Sequence, residues 1–303
     1  MPATPLVASS RDRTWLKVET LQPTGSFKVR GALAALSALP PGVRAITASA
    51  GNHALGVADA ARRLGVPATV VVPETASPAK LAALRAFDVE VVRRGDTYDA
   101  AEDQALALAE QGGVYVSPYN DPLVIAGQAT LGRELEIQRP PGRLTVVCGV
   151  GGGGLCAGLA LWAQGRPGTR VVGVEAAASR AVSAAVSAGG IVEVEVRPTL
   201  ADGLAGNLER GAVTWQVIRA AGVPILAVSE EQIAGAMRWA FTQVGLVLEG
   251  AGAVPLAAVL AGLVPNDGEI VVVLSGRHVG AAQYAAVLQG SDPDRGAEQL
   301  REE

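Results

Sequence analysis

Three loops of this chain carry residues that could do chemistry together. The first reads Gln22-Pro-Thr-Gly-Ser-Phe-Lys28-Val-Arg-Gly31. Pro23, Thr24 and Gly25 make a turn, and a helix is expected to begin near Ser26. Lys28 then falls in the first helical turn, where the dipole disfavours a cation. An amine that loses its proton easily suits Schiff-base chemistry. The plain alternative is a solvated lysine at a helix start. The second loop, Ser49-Ala-Gly-Asn-His53, offers a hydroxyl, an amide and main-chain N–H groups to a carboxylate. Its plain alternative is an Asn or Ser cap followed by a surface histidine. The third loop is Gly149-Val-Gly151-Gly-Gly-Gly154-Leu155. Glycine N–H groups at a helix start form an anion site that suits a phosphate.

That third loop has a competing reading. Gly149, Gly151 and Gly154 satisfy G-x-G-x-x-G, and Glu175 follows at about the 20-residue spacing of a dinucleotide fingerprint. An NAD-dependent dehydrogenase using Gly149–Gly154 is therefore the alternative from another class. Two features weigh against it. The fingerprint sits in mid-chain, and the half before it holds two special loops that a dehydrogenase does not need. Lysine is also scarce. Of 25 basic residues only Lys17, Lys28 and Lys80 are lysines. Codon bias explains that, but it leaves amine chemistry few places to live.

The elements that must position these loops alternate. Short β-branched runs at 14–18, 44–48, 68–73, 88–93, 144–148, 171–175 and 270–274 read as strands. Ala/Leu-rich stretches at 53–64, 77–87, 98–111 and 124–138 read as helices. This rhythm predicts an α/β fold of open, twisted, mostly parallel sheets with helices on both faces. Ligands in such folds sit at the carboxyl ends of strands, where the three loops lie. The pairs Pro40-Pro41 and Pro140-Pro141 are candidate crossings between two domains, and the polar tail from Ser291 reads as frayed or as a surface helix.

Composition excludes several classes. The 303 residues are 49% hydrophobic and 18% charged, too apolar for a disordered chain. Aromatics are only 4%, so the core is aliphatic. A net charge of -4 with no basic block argues against a nucleic-acid partner. The uncharged stretch 144–165 has a span's length, but four consecutive glycines fit a strand, a loop and a helix better, so no membrane is expected. Cys148 and Cys156 cannot build a disulfide framework, and the start lacks an apolar signal core. The cytoplasm is the expected compartment.

Taken in order, the motifs resemble the fold-type II pyridoxal-phosphate enzymes (tryptophan synthase β-like), specifically the serine/threonine dehydratase group. The resemblance runs through Thr4-Pro5-Leu6, Leu16-Lys-Val-Glu19, Pro23-Thr-Gly-Ser-Phe-Lys28 and Ser49-Ala-Gly-Asn-His53. It continues through Val124-Ile-Ala-Gly-Gln128, Gly151–Gly154, Ala201-Asp-Gly203, Glu249-Gly-Ala-Gly-Ala253 and Leu274-Ser-Gly276. It implies pyridoxal 5'-phosphate held as a Schiff base on Lys28, with Phe27 beside the ring. Gly151, Gly152, Gly153, Gly154 and Leu155 would cradle the phosphate. Asn52 would bond the 3'-oxygen, and Ser275 would face the pyridine nitrogen. Ser49, Gly51, Asn52 and His53 would grip the substrate carboxylate.

The implied activity is dehydration and deamination of a hydroxy amino acid, L-threonine or L-serine first, to a 2-keto acid and ammonia. Lys28 would act as the base at Cα. A related elimination on another hydroxy amino acid, or serine racemase-like activity, is the alternative within the family. Serine racemases resemble the second loop but carry Ser-Ser-Gly-Asn-His, the second Ser giving a proton from the opposite face. Ala50 has none to give, so elimination without efficient racemisation is expected. The family's usual Ser-Gly-Gly-Asn reads Ser275-Gly-Arg277-His278 here, and its usual Gln after Asn-His-Ala is Leu55. Some relatives bind a divalent cation at the position of Glu175 and another six residues on. That second position is Ala181, which cannot ligate, so Glu175 is a weak metal candidate and no metal is expected. The resemblance further implies a homodimer. It implies a large cofactor domain of residues 1–43 and 130–303, and a small mobile substrate-side domain of 44–129. The matched pattern ends near Val279, so no appended effector domain is expected.

Overall fold

The computed structural model describes residues 1–76, 78–139 and 142–290. The Pro140-Pro141 pair and the tail from Ser291 lie outside the described residues. The chain opens with β1 (Leu6–Ala8) and β2 (Thr14–Val18), then α1 (Lys28–Ser37), β3 (Arg44–Ala48) and α2 (Asn52–Leu64). It continues with β4 (Ala68–Val72), α3 (Pro78–Leu84), β5 (Glu90–Arg93), α4 (Tyr98–Glu110), β6 (Gly113–Tyr115) and α5 (Pro122–Gln138). Next come β7 (Leu144–Gly149), α6 (Gly154–Ala163), β8 (Thr169–Ala176), α7 (Ala181–Ala188), α8 (Thr214–Ala220) and β9 (Ile225–Val228). The described chain closes with α9 (Glu230–Val244), α10 (Gly250–Leu260), β10 (Glu269–Leu274) and α11 (Ala281–Gln289).

Two sheets result. The larger has the order β1-β2-β10-β7-β8-β9, and the smaller β5-β4-β3-β6. All their ladders are parallel except β1 with β2. The α/β class and the mostly parallel sheets expected from the alternation are present. Each expected strand and helix falls within a few residues of an observed one. Strands β1, β6 and β9 escaped the pattern. The smaller sheet draws only on chain between Arg44 and Tyr115, and α5 runs across position 129.

Both faces of the larger sheet are buried, as parallel ladders require. Alternate residues of β10 feed opposite cores: Val272 and Leu274 pack with Leu16, Val174 and Leu256, while Val271 and Val273 pack with Val146, Leu159 and Ile218. In the smaller sheet Val70 and Val72 face one core and Val71 the other. The uncharged stretch 144–165 is β7, the glycine loop and α6, as read. Among the described residues no helix is long and apolar enough to cross a membrane.

A buried ion network fixes α1 against β2 and α5. The Arg30 guanidinium donates from Nε and Nη2 to the two oxygens of Glu19, each at 2.7 Å. Its Nη1 reaches Glu134 Oε1 at 2.6 Å. Lys17, fully buried, donates to Glu134 Oε2 at 2.5 Å, Thr4 O at 2.8 Å and Gln138 Oε1 at 2.9 Å. Two cations and two carboxylates thus cancel inside the protein, and every partner is fixed by hydrogen bonds. Arg30 lies two residues beyond Lys28, so this network sets where the Lys28 turn stands.

Candidate active site

The Lys28 loop lies against the exit of β10. Phe27 N–H donates to Ser275 O at 3.0 Å, Arg277 N–H donates to Gly25 O at 3.1 Å, and Ser26 and Gly276 form an isolated bridge. This pairing brings the first residue of α1 beside Ser275. Lys28 Nζ donates to Pro118 O at 2.8 Å and sits 5.3 Å from the centre of the Phe27 ring. Burial lowers its pKa to about 8, while the carboxylates of Glu249 and Glu209 pull it back up. The helix dipole was the cause expected from the sequence. Desolvation is the larger one, because burial strips the ammonium of hydration that favours its charged form.

The second loop leaves β3 and enters α2 at Asn52. Ser49 Oγ accepts the Gly51 N–H at 3.1 Å, and no side chain caps the helix. The Asn or Ser cap of the plain reading is absent from α2, so Asn52 is available for other work. Its Nδ2 donates to Glu249 Oε1 at 2.7 Å, and its Oδ1 lies 2.5 Å from His278 Nδ1. His53 is not on the surface. Its imidazole is 2% exposed and pairs with Val116 O at 3.1 Å through Nε2. Burial and the nearby Lys28 charge push its pKa down to about 3. With the ring so engaged, His53 can offer an anion its main-chain N–H at the start of α2.

In the third loop Val150 N–H still bonds Val174 O at 2.8 Å, and the chain then turns through Gly153 at φ 87° into α6. That left-handed conformation favours glycine. No side chain caps α6. Its first N–H groups therefore form a positive helix end. Thr214 Oγ1 donates to the Gly152 carbonyl at 2.6 Å. A Cβ at Gly152 would stand 2.3 Å from the Tyr119 ring. The loop's glycines thus permit packing that side chains forbid.

Phe27, Lys28, Ser49, Gly51, Asn52, His53, Gly151–Leu155 and Ser275 all line one cavity of ≈ 430 Å³. Loops from both sheets form it. Glu175 is elsewhere: its Oε1 accepts the N–H groups of Val182 at 2.9 Å and Ser183 at 3.2 Å, at the start of α7. It caps a helix rather than serving the ribose position of the dinucleotide reading. Among the described residues no group of three or more His, Cys, Asp or Glu could hold a metal ion. Cys148 and Cys156 are free and buried.

Sequence reasoning missed Tyr119 and Glu209, and it placed Asp202, Glu249 and His278 in motifs without giving them a role; all five form or neighbour the same cavity. Glu249 precedes α10 and is buried. Burial raises its pKa to about 7, against the donors Asn52 and His278 N–H. Glu209 is likewise raised to about 7 by burial, and Ser117 Oγ lies 3.0 Å from both its oxygens. One signal was available: Glu249 is a lone charge opening a long uncharged run.

The cavity fits pyridoxal phosphate. It joins an amine of lowered basicity, an uncapped glycine-rich helix start suited to a dianion, and a neutral hydroxyl on Ser275. Its volume lies in the range of small-molecule sites.

Known proteins agree. The L-threonine ammonia-lyase of Geobacter sulfurreducens is 42% identical over 281 residues, covering 91% of this chain and 69% of that protein. The processed form of threonine deaminase isoform 2 from Solanum lycopersicum superposes with a TM-score of 0.86 at 33% identity, over 95% of this chain and 88% of that one. Maize serine racemase superposes with a TM-score of 0.85 at 28% identity, over 99% of this chain and 94% of that one. Residues 2–276 match the family described as pyridoxal-phosphate dependent enzyme, and with the three loops gathered at one cavity the chain belongs to that family.

Proposed function

We propose that this chain is an ammonia-lyase that dehydrates and deaminates L-threonine or L-serine, giving a 2-keto acid and ammonia. The observation that carries the reading is the Lys28 amine, with its pKa lowered to about 8, in one cavity with the uncapped start of α6 and the Ser49–His53 turn. The kinship with threonine ammonia-lyases supports the substrate class.

Lys28 would carry the cofactor through its amine, and the N–H groups of Gly151–Leu155 would hold the phosphate. Asn52 would bond the 3'-oxygen, Ser275 would face the ring nitrogen, and Phe27 would lie beside the ring. Bound pyridoxal phosphate supplies an electron sink for the charge left when the Cα–H bond breaks. Ser49, Gly51 and the main chain of Asn52 and His53 bind the substrate carboxylate at the start of α2. Lys28, once free, takes the Cα proton onto Nζ; a base whose pKa lies near neutrality is suited to that transfer. Ser275 is a hydroxyl and does not keep a ring nitrogen protonated as a carboxylate would. That would favour loss of the β-hydroxyl, which leaves as water if Lys28 Nζ passes on the proton taken from Cα. Ala50 has no proton to return from the opposite face, which favours elimination over racemisation.

Residues 44–129 would act as the mobile substrate-side unit, since Ser49–His53 belongs to it. A cytoplasmic homodimer completes the proposal. It rests on the family resemblance and on two unpaired cysteines. Borohydride reduction of the purified protein with peptide mapping, plus keto-acid and ammonia assays, tests the whole. A label on Lys28 with both products from threonine or serine is expected. A label on Lys17 or Lys80, or no product from any hydroxy amino acid, would overturn it.

A further inference from the structure

His278 stands where the resembling family has Asn, and its surroundings give it a task. The residue follows β10, yet it touches three other segments. Its main-chain N–H donates to Glu249 Oε2 at 2.8 Å, before α10. Its ring lies against the Lys28 loop, because a Cβ built on Gly25 would stand 2.7 Å from its Cε1 and 3.1 Å from its Nε2. Its Nδ1 lies 2.5 Å from Asn52 Oδ1, at the first residue of α2. Asn52 belongs with the smaller sheet and the other segments with the larger. The contact therefore crosses between the sheets at the cavity wall.

The hydrogen-bond roles follow from counting. Asn52 Nδ2 donates to Glu249 Oε1 at 2.7 Å, and the ionised Glu249 carboxylate can only accept, so in that form the NH2 of Asn52 points at it. Asn52 Oδ1 then faces His278 and must accept. His278 Nδ1 must therefore carry the proton. Partial burial and the Arg277 charge hold the His278 pKa below the ordinary imidazole value. Nδ1–H donates in the neutral Nδ1-tautomer and in the cation alike. The closed set Glu249–Asn52–His278 fixes which end of the amide is which. It leaves Asn52 one further N–H.

We propose that His278 is a positioning residue that acts through Asn52: its Nδ1–H locks the Asn52 amide so that the remaining N–H serves the 3'-oxygen of the cofactor. This rests on the reading of the site given above. The His278 Nδ1 and an asparagine Nδ2 both hang from Cγ, so either donor can reach the same acceptor. A glutamine donor sits one bond further out and cannot replace it. The departure from the family's Asn thus keeps the donor and changes the side chain around it.

The test compares the wild-type holoenzyme with H278A, H278N, H278Q, N52A and the N52A/H278A double variant. The readouts are the visible absorption band of the bound cofactor and the cofactor dissociation constant. H278A and H278Q should each hold pyridoxal phosphate about tenfold less tightly, the effect of about one hydrogen bond, and shift the band. H278N should restore both. N52A/H278A should be no weaker than N52A alone, since His278 acts only through that amide. Wild-type affinity and band in H278A, with Lys28 still labelled by borohydride, would overturn the inference and leave the proposed function standing. Equal losses in H278N and H278A, or losses that add in the double variant, would make the ring mere packing and also overturn it. A wild-type protein that takes up no pyridoxal phosphate would fell the proposed function first, and this inference with it.

Discussion

Lys28 must cost the cofactor-free protein stability, and that cost can be measured. Burial lowers its pKa from 10.5 to about 8. Between those values the unfolded chain holds a proton that the folded chain has released, so stability rises with pH across that window. Below about pH 8 both states are charged and the full penalty applies. The difference amounts to about 3 kcal/mol. Lys28→Met keeps an unbranched side chain of similar length and removes the charge. It also loses the bond to Pro118 O, worth about 1 kcal/mol. The cofactor-free Met variant should thus be about 2 kcal/mol more stable than wild type near neutrality. The advantage should shrink as pH rises from about 8 and be gone by 10.5. Urea unfolding followed by tryptophan fluorescence, on protein stripped of cofactor and repeated across that pH range, reads the effect. A Met variant less stable than wild type at neutral pH, or an advantage that ignores pH, would refute the reasoning.

Three further outcomes are expected. Arg30→Met should cost about 3–5 kcal/mol in urea unfolding by stranding the buried Glu19 carboxylate, and adding Glu19→Leu should recover most of it, because Lys17 still serves Glu134. An uncorrected double variant would show that the pair is not the cause. Gly152→Ala should release the cofactor into a desalting column's small-molecule fraction, since its Cβ would press on the Tyr119 ring at 2.3 Å and cost about 1–3 kcal/mol of overpacking. Ala50→Ser should add measurable D-serine formation from L-serine by chiral chromatography, whereas the wild type should form little; equal rates would remove Ala50 from the argument.

What the sequence disclosed depended on how local each signal is. Central strands such as β7 and β10 are apolar on both faces, so they stand out as unbroken runs. The three missed strands, β1, β6 and β9, are all sheet edges of three or four residues with partly exposed side chains. Nothing in such short, half-covered segments separates them from loop. Among edges only β5 was found, through its Val-Val pair. Lys28 and the glycine loop were legible because a turn, a helix start and four glycines lie within a few residues of each other. Glu249 and His278 were not, because their partner is Asn52, which only the folded chain brings near. The burial of the His53 ring, against the plain alternative of a surface histidine, was illegible for the same reason: its partner Val116 O arrives from the end of β6.

The rarity of lysine has a practical side. Lys17 is sealed among hydrogen bonds, Lys28 stands inside the cavity, and Lys80, half-exposed on its lining, lies 3.4 Å from Asp202. Amine-directed reagents applied to the folded protein should therefore meet Lys80 as the most exposed lysine, with Lys28 reached only from within the cavity. Attaching a dye or a resin through the Lys80 amine would place it on the lining of the cavity. Coupling through carboxylates carries the same hazard, because Asp202, the exposed partner of Lys80, lines that cavity too.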